Sequence, residues 1–127
     1  MDLTKGGVNE RARKIPARYG TIDRAVGMLS KGAFIFVIDF ADCFWHWRLT
    51  EDNSWEMGFH DDHSDQFGKF DYLPQGLSPA PGINDQHVTE ILRVPQEHTS
   101  IELLDFVNDL FGAADLRMLL GQNLRHR

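Results

Sequence analysis

Val37-Ile38-Asp39-Phe40 and Phe106-Val107-Asn108-Asp109-Leu110 are the stretches whose joint reading decides the fold. The first is an apolar strand that ends in an acid. The second sets an acidic spot between two apolar runs, as at the tip of a tight hairpin. An acid at a strand end and an acid at a hairpin tip can face each other across one sheet. That is how a protein builds a paired-carboxylate site for two magnesium ions and a phosphoryl transfer. At the second spot an Asn stands where a full site would want another Asp.

Around these stretches the composition sets limits. A chain of 127 residues is long enough for one core. Its 42% hydrophobic content is that of a globular chain, not a disordered one. The single cysteine, Cys43, allows no intrachain disulfide and fits a reducing compartment. No apolar run approaches the ~20 residues of a membrane span, and Met1-Asp2-Leu3-Thr4-Lys5 lacks the apolar core of a signal peptide. The expectation is an intracellular protein of cytoplasm or nucleus, neither secreted nor in a membrane. Net charge is −6, unevenly spread. Residues 1–48 hold eight Lys or Arg against five Asp or Glu, and residues 49–127 hold five against fourteen. The basic segment, with Arg11, Arg13, Lys14, Arg18, Arg24 and Lys31, is a phosphate-contacting surface or simply a solvated one.

Along the chain, Gly6-Gly7 and Pro16 mark loops in an opening without periodicity. Thr21 caps a helix expected through about Ser30, with Gly32 as its stop. Phe34 to Phe40 is a continuous apolar run, expected of a strand buried on both faces. Phe44 to Leu49 reads as extended. Ser54 to Phe59 and Gln66 to Tyr72 flank His60-Asp61-Asp62-His63-Ser64-Asp65 as a hairpin. Leu73 to Pro81 is a Pro- and Gly-rich loop. Ile83, His87, Val88, Ile91 and Leu92 then give helical spacing over about Pro81 to Arg93. Ile101 to Val107 and Leu110 to Ala114 form two strands about a two-residue turn, and a short helix is expected over about Asp115 to Leu124. The order of elements predicts an α+β fold with helices on one face of an antiparallel sheet.

Three of these segments, in this order, resemble the catalytic motifs of reverse transcriptases of retrotransposon-like elements. Asp39-Phe40-Ala41-Asp42-Cys43-Phe44 is similar to the first motif, and Leu73-Pro74-Gln75-Gly76-Leu77-Ser78-Pro79-Ala80-Pro81 to the second. Phe106-Val107-Asn108-Asp109 stands in the place of Tyr-x-Asp-Asp, and Asp2 to Asn9 resembles the segment before the family's first helix. The resemblance implies a polymerase palm with partial fingers, residues 1–33 being a fingers remnant and 34–127 palm, the thumb absent. It implies template-directed DNA synthesis from deoxynucleoside triphosphates on a primed RNA or DNA template. Two Mg2+ ions would be held by Asp39, the Phe40 carbonyl and Asp109. Asp42 and Cys43, after Ala41, would present backbone N–H groups to the triphosphate. Phe44 would be the aromatic gate against a ribose 2′-hydroxyl. Gln75 would contact the nucleotide, with Gly76 allowing close approach. The expected partners are the remaining polyprotein domains, thumb and ribonuclease H.

Asn108 departs from the family pattern at a principal metal ligand, and the fragment is expected to be inactive alone. Other readings stand beside this one. Asn108-Asp109 suits a type I′ turn without any metal. Trp45 and Trp47 read as core aromatics. The His60–Asp65 segment reads as a solvated hairpin tip rather than a zinc site. A non-catalytic nucleic-acid or protein-binding remnant, and a palm of an RNA-dependent RNA polymerase, remain alternatives; Phe44 as a bulky gate argues against the second.

Overall fold

The computed structural model describes residues 7–30 and 32–115. The architecture is mixed, helices with antiparallel sheet. It divides into two compact units, the described residues of Met1–Ala17 with Asp42–Asn84, and those of Arg18–Ala41 with Asp85–Arg127.

In the first unit, α1 (Val8–Arg11) is a single turn within the segment read as a loop. A 3₁₀ helix, Cys43–His46, replaces the first half of the expected extended run. Its start is fixed by Asp42 in the left-handed region (φ 55°), whose carbonyl accepts the Trp45 N–H at 2.8 Å. Only Trp47 to Leu49 is extended, bonding Asp71 and Leu73 through Leu49 N–H and the Trp47 carbonyl. The expected strand Ser54 to Phe59 is instead helix α3 (Glu51–Glu56) and its exit. Thr50 caps it by accepting the Asn53 N–H, and Glu51 and Asp52 complement the positive helix start. Ser54 is then buried, its hydroxyl donating to the Phe70 carbonyl at 2.6 Å. The hairpin shrinks to β2 (Phe59–Asp61) and β3 (Gln66–Gly68). Met57, Leu73, Leu77 and Ala80 make the core, with Phe44, Trp47, Leu49, Phe70 and Ile83 packed against it. Trp47 thus joins the core, whereas Trp45 stays exposed against Phe70.

The second unit holds α2 (Ile22–Gly27), β1 (Ala33–Asp39), β4 (Glu102–Phe106) and β5 (Asp109–Asp115). Thr21 caps α2 as expected, but the helix ends at Gly27 rather than near Ser30. Gly32, at φ 84°, makes the left-handed turn into β1 that a Cβ would oppose. The sheet order is β1-β5-β4, antiparallel throughout. β1 is therefore an edge strand, and the expectation of burial on both faces fails. Phe34, Ile35, Val37 and Ile38 are 55%, 56%, 66% and 48% exposed. An apolar run specifies a strand but not its neighbours. In the central strand Gly112 takes no side chain, because the Phe36 ring covers it.

Helix α4 (Ala80–His98) begins in the first unit and continues in the second. It outruns the expected end at Arg93 and passes through Pro95. The carbonyls of its last turn are taken by side chains, Val94 by His98 and Pro95 by Thr99. Asp115 ends β5, and the rest of the expected terminal helix lies outside the described residues, as do Lys31 and Asp2 to Gly6. Among the described residues no helix is long and apolar enough to cross a membrane.

Leu73 is fully buried at the centre of the first unit's core. Leu73→Ala is expected to lower stability by about 2–5 kcal/mol, read as a fall in the urea unfolding midpoint; an unchanged midpoint would show that this cluster is not the core.

Candidate functional site

The β1–β5 ladder runs in register from Ala33↔Asp115 to Asp39↔Asp109. The two acids are thus direct cross-strand partners, on the same face of the sheet. Beyond them the Phe40 N–H donates to the Asn108 carbonyl at 2.7 Å. That bond makes Phe40 and Asn108 the hydrogen-bonded pair and leaves Asp39 and Asp109 as the closer, non-hydrogen-bonded pair, with Cα atoms ~4.5 Å apart in such ladders. Two like charges so placed repel. The Asn108 side chain answers part of that repulsion, since its Nδ2 donates to Asp39 Oδ1 at 3.0 Å.

The turn that presents these groups is centred one residue earlier than the type I′ reading places it. Phe106 pairs with Asp109, so Val107 and Asn108 form the loop. Positive φ falls on Val107 (60°), not on Asn108. A left-handed first loop residue is the type II′ pattern, which favours glycine. A β-branched side chain there is strained, at about 1–3 kcal/mol.

Asp39, Phe40, Asn108 and Asp109 are therefore brought together at one end of the second unit's sheet, with Ala41 following, and all but half-buried Phe40 are exposed. Two carboxylates with nearby amide and peptide oxygens form the hard-oxygen donor set that magnesium prefers. Among the described residues no group of three or more His, Cys, Asp or Glu is placed to hold a metal. The remaining expected site residues belong to the first unit. Asp42 holds the left-handed turn, and Cys43 is buried with its Sγ donating to Asn84 Oδ1 at 3.0 Å. The Phe44 ring packs on the core cluster. Gln75 and Gly76 lie on an exposed turn, Gly76 at φ 88°.

Three structural residues, Asn9, Asp85 and Asp105, escaped the sequence reading. Asn9 fastens the Gln75–Gly76 turn, its Nδ2 donating to the Gly76 carbonyl (2.9 Å) and its Oδ1 accepting the Ser78 N–H (2.7 Å). Buried Asp85 accepts the Arg18 N–H at 2.8 Å and hydrogen-bonds Asp105, on the face of β4 opposite to that of Asp109. The signal was there for Asp85, which shares the apolar helical stripe with Val88 and Leu92. Burial raises the Asp105 carboxyl above the ordinary aspartate value, and the hydrogen bond that its protonated form donates to Asp85 adds to it, while Arg24 pulls the other way.

No protein-family model matches the chain, and no curated protein matches it in sequence.

A raised carboxyl favours the fold while neutral. Its stabilisation is complete below the ordinary aspartate value of about 3.9 and is lost as pH rises through the raised folded value. Asp105→Asn, which stays neutral, should match wild type in acid and be the more stable at neutral pH; urea midpoints that run parallel across pH would remove Asp105 from the balance. At the tip, Val107→Gly should raise stability by about 1 kcal/mol as strain is relieved, net of the glycine's chain entropy. A lower midpoint would show that the Val107 side chain contributes more by contact than its backbone costs.

Proposed function

We propose that this chain is a reverse-transcriptase-like palm with a fingers remnant, derived from a retroelement polymerase, in which Asn108 has removed the capacity to polymerise unaided. The observation that carries the reading is the register pair Asp39↔Asp109, acid opposite acid at the end of an antiparallel sheet. The sheet order β1-β5-β4 supports it by putting the hairpin strand that begins with Asp109 against the strand that ends in Asp39. The motif order supports it as well, with the Leu73–Pro79 loop running directly into α4.

In this reading Asp39 and Asp109, with the Phe40 carbonyl, hold the divalent cation. Bound there, magnesium would neutralise charge on a triphosphate and polarise the phosphoryl group under attack. The resemblance assigns Asp42 and Cys43 backbone N–H groups to the triphosphate, the Phe44 ring to sugar selection and Gln75–Gly76 to the incoming deoxynucleotide. Template and primer are the nucleic-acid partners, and the thumb and ribonuclease H of a polyprotein are the protein partners.

Asn108 sets the limit on activity. It is neutral, and its amide already occupies an Asp39 oxygen that a cation would use. Losing one carboxylate at such a site costs several kcal/mol of transition-state stabilisation, which is several orders of magnitude in rate. The same hydrogen bond favours a second reading, a non-catalytic nucleic-acid-binding remnant whose carboxylates are idle. In that case an RNA–DNA hybrid would bind in a salt-dependent way and ignore Asp39→Ala.

Primer extension on RNA and DNA templates with Mg2+ or Mn2+ should yield no product from the wild-type chain; robust synthesis would overturn the role given to Asn108. Asn108→Asp should tighten Mn2+ binding by about tenfold or more, followed by paramagnetic broadening of hairpin resonances, and Asp39→Asn should abolish it. Mn2+ binding indifferent to both substitutions would dismiss the acidic pair as a metal site.

A further inference from the structure

The first unit contains a half-open cavity of about 580 Å³ that the reading above does not use. Its volume lies within the ~300–1,000 Å³ of small-molecule sites. Met57, Leu73 and Leu77, all buried, and Ile83 give it an apolar lining. Arg11 and Arg13 also line it, at exposed positions, with Glu56 as their one acidic counterpart. Among the described residues the ion pairs lie elsewhere, at His60, Lys69 and Arg93, so neither arginine is neutralised by them. A net cationic rim stands out in a chain of net charge −6.

The walls are tied together. Asn9 bonds Gly76 and Ser78 through its side chain, and the Ser78 hydroxyl donates to the Asn9 carbonyl at 3.4 Å. On the other side the backbone of Ile15 lies against Gly82, where any side chain would collide with it. The segment carrying both arginines is therefore anchored at each end, before Arg11 and after Arg13. A half-open apolar surface with two guanidinium groups at its edge suits an amphiphilic anion. The apolar part leaves water inside, while a planar carboxylate accepts paired hydrogen bonds from guanidinium.

We propose that this cavity binds a small amphiphilic carboxylate, its apolar body among Met57, Leu73, Leu77 and Ile83 and its carboxylate at Arg11 and Arg13. The site is separate from the acidic pair Asp39–Asp109 and does not depend on the polymerase reading.

Decanoate titrated into the full chain tests it, by calorimetry together with the 13C shift of the Met57 methyl, which lines the cavity; the Met28 methyl, in the other unit, is the control. The expected result is saturable one-to-one binding that moves Met57 and not Met28. Decanol, uncharged, should bind about tenfold more weakly. The double variant Arg11→Glu/Arg13→Glu, altered only at exposed positions, should erase the preference for decanoate over decanol. Ile83→Trp, which fills the cavity, should weaken both ligands, and Asp39→Asn should change neither. Equal affinity for decanoate and decanol, a preference that survives charge reversal, or Met28 shifting along the same isotherm would each overturn the proposal.

Discussion

Everything at the candidate site depends on the register of β1 against β5. Side chains alternate across a strand, so a slip of one residue would carry Asp39 to the opposite face and leave Asp109 facing an apolar neighbour. The ladder is held at two points. At mid-strand the Phe36 ring lies over Gly112, a fit that only glycine permits. At the end, the Phe40 N–H reaches the Asn108 carbonyl, tying the strand to the hairpin tip. Between them the register leaves no freedom in where the carboxylates meet. The strain at Val107 belongs to the same constraint: a two-residue loop that closes Phe106 onto Asp109 needs positive φ at its first position, whatever residue occupies it.

The two units solve burial differently. In the first, helix, loop and hairpin residues converge on Leu73 and Met57, and the polar groups inside are matched. Buried Asn84 accepts from both the Trp47 indole at 2.7 Å and the Cys43 thiol. In the second, the central strand carries small buried residues, Gly112, Ala113 and Ala114, while the large apolar side chains of β1 face outward. The polar interior there is acidic. Asp85 and Asp105 meet between helix and strand, and burial raises the Asp105 carboxyl above the ordinary aspartate value.

The sequence was most legible where a pattern was local and long. The apolar run to Asp39 is a strand, the stretch around Asn108 a hairpin and the stripe after Pro81 a helix, though the hairpin turn sits one residue earlier than read and the helix runs past Arg93. The α+β class followed from their order. Legibility failed where the deciding partner was distant in sequence. Ser54 to Glu56 alternate like a strand, yet a Thr50 cap and a partly buried bond to the Phe70 carbonyl make them helical. The 3₁₀ turn at Cys43 to His46 rests on a left-handed Asp42, which no periodicity reveals. Burial was the least legible property. Val37 and Ile38 read as interior and lie exposed, because composition states what a strand can bury but not what stands beside it. The acidic pair was visible in the sequence as two strand ends; that they are exact register partners required the ladder.

Asn108 joins folding and chemistry in one side chain. Opposed carboxylates at a strand end destabilise a sheet unless a donor or a cation stands between them. An amide at this position supplies a donor to Asp39 from within the hairpin, with no ion required. An aspartate there would add a third negative charge to the tip and remove the donor, so the tip would then need a divalent cation to balance it. Asn108 thus stabilises the cation-free sheet. Asp39 and Asp109 are thus held as register partners with part of their repulsion relieved by a hydrogen bond from the hairpin itself.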